Sequence, residues 1–227
     1  MADECAPSLP ESVENLLPKL GQLKDQVTQQ LASAWTADEA RLFSTDLVAL
    51  GVARRTYALV DGFVALLRQR NPLCCGALLR LQLDTAMRFY ACWLVDKPEE
   101  IALALLDDRH LDKIKSRDGK WLRDAYLHEQ LSKQYGDWVS RVYGNTSGFV
   151  HLTGRAMLDA STDHDAATGR ESVSLQGPGR IWSEPEMAEM VSAFVESVGI
   201  TVHLLYSWSS TKSSVAEKRF ENQHGAS

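Results

Sequence analysis

The chain has no uninterrupted apolar run of about eighteen residues, the length a membrane-spanning helix needs. Its first residues, MADECAPSLPESVENLL, carry acidic side chains where a secretory leader would carry basic ones ahead of an apolar core. A cytoplasmic protein with no membrane partner is expected. An excess of positive charge is also lacking: 24 Lys and Arg stand against 30 Asp and Glu, for a net charge of -6 and a pI near 5.5. That balance excludes broad, salt-driven coating of nucleic acid and leaves room only for a local basic groove. Cysteine is scarce, and Cys5, Cys74, Cys75 and Cys92 lack metal-ligand spacing, because Cys74 and Cys75 point in different directions on a helix and have no Cys or His partner nearby. They read as reduced, mostly buried thiols. A phosphate-cradling glycine loop, a nucleophile elbow and an HExxH pattern are all missing, which disfavours classical ATPase, hydrolase and zinc-protease chemistry. The DHD of Asp163 to Asp165 cannot aim three consecutive loop residues at one ion, so no metal and no cofactor is expected.

What is present is helical periodicity. With 227 residues, 44% of them hydrophobic, the chain can bury one sizeable core. Val13, Leu16, Leu17, Leu20, Leu23, Val27 and Leu31 recur at helical intervals from about Ser8 to Ser33, with Pro18 either kinking that helix or marking its true start. TADE, Thr36 to Glu39, has the form of a capping box and opens a pattern running to Arg70. Asn71 and Pro72 end it and start the next helix. That third segment, LCCGALLRLQLDTAMRFYACWLV, is apolar almost all round, as a central helix is. DKPEE then opens a short helix through Leu106, and another pattern spans Trp121 to about Tyr135. Residues 159–180 form a loop, with a short strand at ESVSL. SEPE, Ser183 to Glu186, is a second capping box, and the last helix runs to about Ser209. The expected fold is all-α: an up-and-down helical bundle with one long polar loop between the last two helices. Residues 1–209 form a single domain and 210–227 a polar C-terminal tail.

Two polar stripes interrupt this apolar background. Arg80, Asp84 and Arg88 follow one another at i, i+4 steps on the central helix and form one ladder. Its bland meaning is a structural ion-pair ladder; its functional meaning is an arginine fork offered to phosphate and oriented by Asp84. In RVYGNTSGFVHLTGR, Tyr143, Ser147, His151 and Arg155 fall at the same spacing if the stretch is helical, forming a second ladder. Gly144, Gly148 and Gly154 each lower helix propensity by about 1 kcal/mol relative to alanine, which calls for a close approach or a local break. His151 is then either a core histidine bonded to a neighbouring helix or a general acid or base. His110 and His128 lie on polar segments, His164 in the loop, His203 on a solvated face and His224 in the tail; these carry less.

The segments LLRLQLDTAMRFYACWLVDKP and YGNTSGFVHLT resemble a group of bacterial helical proteins of unknown function related to the HEPN superfamily, over about Leu50 to Leu158. The resemblance implies a helical bundle, often a homodimer, and metal-independent endoribonuclease activity of a defence or toxin type. It also implies a motif in which an arginine is followed, after four to six residues, by a histidine. Counted back from His151, the arginine falls on Thr146, Asn145 or Gly144, none of which is arginine. Two functions follow. In the first, His151 activates a ribose 2'-hydroxyl or protonates the leaving oxygen and Arg80 or Arg88 stabilises the phosphorane; Tyr143, Asn145, Ser147, Asp84 and Arg155 bind or orient the substrate. In the second, the same ladders make a non-catalytic module that binds RNA, a nucleotide or a protein partner.

Overall fold

Prolines and asparagines punctuate the chain much as the sequence requires. The computed structural model describes residues 8–151, 161–165, 168–173 and 182–224. A single turn, α1 (Glu11–Glu14), precedes α2 (Leu17–Thr36), and Pro18 in the first turn of α2 marks its true start. α3 (Ser44–Arg68) ends before Asn71, whose side chain accepts the amide of Cys74 at 3.1 Å to cap α4 (Pro72–Tyr90). α5 (Pro98–Leu106) begins at its proline. α6 (Asp124–Tyr135) and α7 (Trp138–Val150) form a short antiparallel pair, and α8 (Glu184–His224) closes the fold. Glu186 accepts both the amide and the hydroxyl of Ser183, at 2.9 and 2.8 Å, completing the reach-back half of the second capping box.

The all-α bundle expected from periodicity is present, and α4 is its central helix, packed against α3, α6, α7 and α8. It joins two apolar clusters. Leu83, Met87 and Phe89 enter one with Ala53, Ile101, Leu127, Val139 and Leu205; Cys75 and Leu79 enter the other with Leu20, Phe63, Phe194 and Val198. Each large side chain so buried contributes about 1.5–3 kcal/mol. Gln82 crosses between α3 and α8 inside this core, donating to Thr201 at 2.9 Å and to Thr56 at 3.2 Å. The thiols of Cys75 and Cys92 are buried and free, and burial pushes both up to about 12, so they are inert. Cys5 lies outside the described residues.

Gly76 places α7 on α4. A Cβ at this position would meet the Phe149 ring at 2.4 Å, well inside contact distance, so the ring rests on bare backbone. Gly76→Ala should lower the thermal midpoint, with a loss of about 1–3 kcal/mol from overpacking that outweighs the helix propensity gained. An unchanged or raised midpoint would show that α7 is free to move.

Four expectations are corrected. Thr36 does not cap a helix start: it ends α2, donating back to the carbonyl of Ala32 at 2.9 Å, and Asp38, Glu39 and Ala40 then turn through left-handed backbone. The next helix is started by Asp46 instead, which accepts the Phe43 amide at 2.8 Å. The pattern from Trp121 becomes helix only at Asp124, since Trp121 pairs with Lys115 in a β-bridge. The last helix does not stop near Ser209 but continues to His224, and Lys212, in the segment expected as a tail, is fully buried. In the long connection the short strand is one half of an antiparallel hairpin, β1 (Ser161–Asp165) with β2 (Arg170–Val173).

One helix, Glu184–Val215, is long and apolar enough by composition to cross a membrane, but 56% of its apolar window is buried inside the bundle, as in a core helix.

Candidate functional site

Within the first ladder Arg88 pairs with Asp84, and Arg80 does not. Arg88 donates through Nε to Asp84 at 3.2 Å, one helical turn back, and through Nη2 to Asp124 of α6 at 2.7 Å. All three are partly exposed, so these pairs fix orientation more than they stabilise the fold. Arg80, at the other end of the ladder, donates to the Tyr143 carbonyl at 3.0 Å and lays its guanidinium carbon 3.2 Å from the centre of the Tyr143 ring. Among the described residues no carboxylate pairs with Arg80, so its charge is left uncompensated.

The second ladder forms only at its first rung. Tyr143 faces α4, whereas α7 ends at Val150 and His151 has extended backbone, with φ −111° and ψ 146°. Its amide still donates to the Ser147 carbonyl at 3.2 Å, but its side chain is exposed. Ser147 has no side-chain partner on α4, Asn145 is exposed beside Phe149 and Trp182, and Arg155 lies outside the described residues. His151 is therefore neither a core histidine nor a neighbour of Arg80 and Arg88. The break has a local cause: Gly144 and Gly148 weaken the helix that ends at Val150.

The histidine that meets the ladder is His128, on α6. Asp124 and His128 stand at i, i+4, so the Asp124 that holds Arg88 is on the face that carries the imidazole. The His128 ring stacks on Tyr143 with centroids 4.5 Å apart, and its Nδ1 lies 3.2 Å from Ser140 Oγ. Ser140 is in turn fixed by Ser132, oxygen to oxygen at 2.6 Å, which holds the imidazole by its Nδ1 side. Nε2 has no partner among the described residues. Burial, with the Arg80 charge second and the carboxylates of Glu129 and Asp124 opposing, lowers the His128 pKa from its ordinary value. The ring is thus neutral at pH 7. Burial pushes the Tyr143 phenol up, against the pull of Arg80, so it stays protonated. A proton titration of His128 followed by NMR should have its midpoint below 6.5, and Arg80→Ala should move it upward; a midpoint indifferent to Arg80 would contradict the geometry.

Sequence spacing holds the signal for this residue. An arginine followed after four to six residues by a histidine occurs at Arg123 and His128, with Asp124, Ala125, Tyr126 and Leu127 between them. A count that starts from His151 misses it. The same spacing recurs at Arg219 and His224 at the end of α8, but only Arg123 and His128 are carried by the helix that meets Arg80 and Arg88. Arg123 is the N-cap residue of α6, exposed and without an ion-pair partner among the described residues.

No group of three metal-binding side chains exists among the described residues. His203, expected on a solvated face, is exposed and lies 2.8 Å from the Tyr135 hydroxyl through Nδ1. Trp208 is half-buried and donates to Asp46 at 2.8 Å. No protein-family model, no curated protein and no solved structure matches the chain.

Proposed function

We propose that this chain is a HEPN-like, metal-independent endoribonuclease whose histidine is His128 rather than His151. The observation that carries the proposal is the seam between α4, α6 and α7. There a neutral imidazole, its Nε2 without a partner among the described residues, shares the Tyr143 ring with Arg80, an arginine that has no carboxylate partner among them. The motif spacing of Arg123 and His128 supports it independently.

The chemistry follows from the groups. His128 Nε2 takes the proton of a ribose 2'-hydroxyl, and the 2'-oxygen then attacks the adjacent phosphorus. The bond from phosphorus to the 5'-oxygen breaks, and that oxygen takes a proton from the imidazolium, leaving a 2',3'-cyclic phosphate and a 5'-hydroxyl. Arg80 and Arg123 supply positive charge for the phosphorane, a role that the pinned Arg88 cannot fill as freely. Ser140 and Tyr143 orient the ring. Asp124 ties the α6 end of the site to Arg88.

The test is incubation with mixed RNA in excess chelator. Cleavage should persist, leave cyclic phosphate ends and spare DNA. Its rate should fall on the acid side as His128 takes a proton, below the ordinary histidine range because the folded pKa is lowered. Cleavage abolished by chelator, or equal cleavage of DNA, would reject the proposal and favour the non-catalytic module.

A further inference from the structure

A cleft of about 480 Å³ opens on the far side of the same ladder, between α3, the end of α5 and α4. Asp84, Thr85 and Arg88 form its α4 wall, so Arg88 belongs both to this cleft and, through Asp124, to the His128 helix. The floor is apolar: Val48, Val52 and Leu111 are buried, with Leu105 beside them. Around it stand Arg55, Arg109 and His110, all exposed. Arg55 is aimed rather than neutralised. Its Nε donates to Thr85 at 2.9 Å, Thr85 donates on to the Leu81 carbonyl at 2.7 Å, and no carboxylate engages the outer guanidinium nitrogens among the described residues. Arg109 meets only Asp107, at 3.4 Å in an exposed pair. A second groove continues along α3, lined by Gly51, Arg54, Arg55 and Asp61, the last paired with Lys24.

We propose that this cleft binds one nucleoside monophosphate unit, the base against Val52, Leu105 and Leu111 and the phosphate on Arg55 and Arg109. The volume suits that ligand, since small-molecule sites of about 300–1,000 Å³ pair an apolar lining with a few placed polar groups. The chemistry suits it as well. Two arginines, each engaged through Nε and with its outer guanidinium nitrogens unbonded among the described residues, match phosphate oxygens, while the carboxylate of Asp108 at the rim offers an acceptor to sugar hydroxyls or base amino groups. The other lining carboxylate, Asp84, is already held by Arg88 and does not repel the phosphate as a free charge would. That the unit belongs to an RNA strand continuing toward His128 rests on the proposed function. The phosphate and base recognition does not.

The experiment is binding of a fluorescent 2'-O-methyl RNA, whose 2'-oxygen has no proton to give and which cannot be cleaved by this route, with each of the four nucleoside 5'-monophosphates as competitor. Arg55→Ala with Arg109→Ala should weaken RNA binding roughly tenfold or more, as loss of charge-assisted hydrogen bonds does, and should flatten its salt dependence. Gly51→Trp is the second variant: its Cβ meets open space, so the indole fills the cleft while both arginines remain, and binding should fall comparably. If the monophosphates bind with the same sensitivity and RNA does not, the site stands and its ligand is a free nucleotide. If neither ligand binds, or if both variants bind as the unaltered chain does, the inference is overturned. Because the probe cannot be cut, either result is independent of whether the chain cleaves RNA.

Discussion

Lys212→Ala is expected to destabilise the fold by about 3–5 kcal/mol, the loss typical of breaking a buried ion pair from one side. Lys212 and Asp46 are each only 1% exposed, and their side chains meet at 2.9 Å. The ammonium also donates to the Ala34 carbonyl at 2.7 Å. Asp46 accepts the Phe43 amide and the Trp208 indole, each at 2.8 Å, so both oxygens are engaged. The pair therefore clamps the end of α2, the start of α3 and the last turns of α8 together. Removing the lysine leaves a carboxylate in a dry site with no counter-charge, which is where the cost arises. Lys212→Met keeps the stem and should recover little. Lys212→Met with Asp46→Asn should lose less than the two single changes added, because neither charge is then stranded. Urea unfolding of the unaltered chain, Lys212→Ala, Lys212→Met, Asp46→Asn and the double variant measures this, and a Lys212→Ala variant within 1 kcal/mol of the unaltered chain would contradict the assignment.

His128→Ala carries the largest expected effect on activity. A positioned general base contributes roughly 10²- to 10⁴-fold, and cleavage should fall by that factor while the fold survives, since the ring is only partly buried and ends on a serine that keeps its own partner. Added imidazole should restore part of the rate in the alanine variant, because the truncated side chain leaves space beside Tyr143 and Arg80. Rescue is informative because a purely structural histidine would show none. The same substitution should leave binding in the Arg55 cleft detectable, as the two sites share a helix and not a side chain at position 128.

Much of the fold is written in local chemistry. Asn71 and Pro72 end one helix and cap the next, Pro98 starts α5, and Ser183 with Glu186 starts α8; each signal depends only on a few neighbouring atoms. The apolar girdle of α4 announces a central helix because only such a helix has no solvated face. Where tertiary context decides, the sequence misleads. Thr36 and Glu39 have the letters of a helix start, yet the threonine hydroxyl bonds backward into α2 and the chain leaves through a left-handed turn. Lys212 and its serine neighbours read as a solvated tail, because nothing near them in sequence reveals Asp46, far back along the chain.

The candidate site divides along the same line. Arg80, Asp84 and Arg88 are legible from i, i+4 arithmetic within one helix. His151 fails because the same arithmetic presumes a helix that ends one residue too soon. His128 is legible by two routes, its spacing from Asp124 and its distance from Arg123. Both are masked by the polar residues around it, which make α6 look like a surface helix with nothing to hold.

His128 is proposed as the reactive histidine. The measurement that tests it is the initial rate of chelator-resistant RNA cleavage by His128→Ala and His151→Ala, assayed beside the unaltered chain. Loss of at least a hundredfold is expected in the first variant and an unchanged rate in the second. An unaltered chain that does not cleave RNA, or a loss confined to His151→Ala, would contradict it.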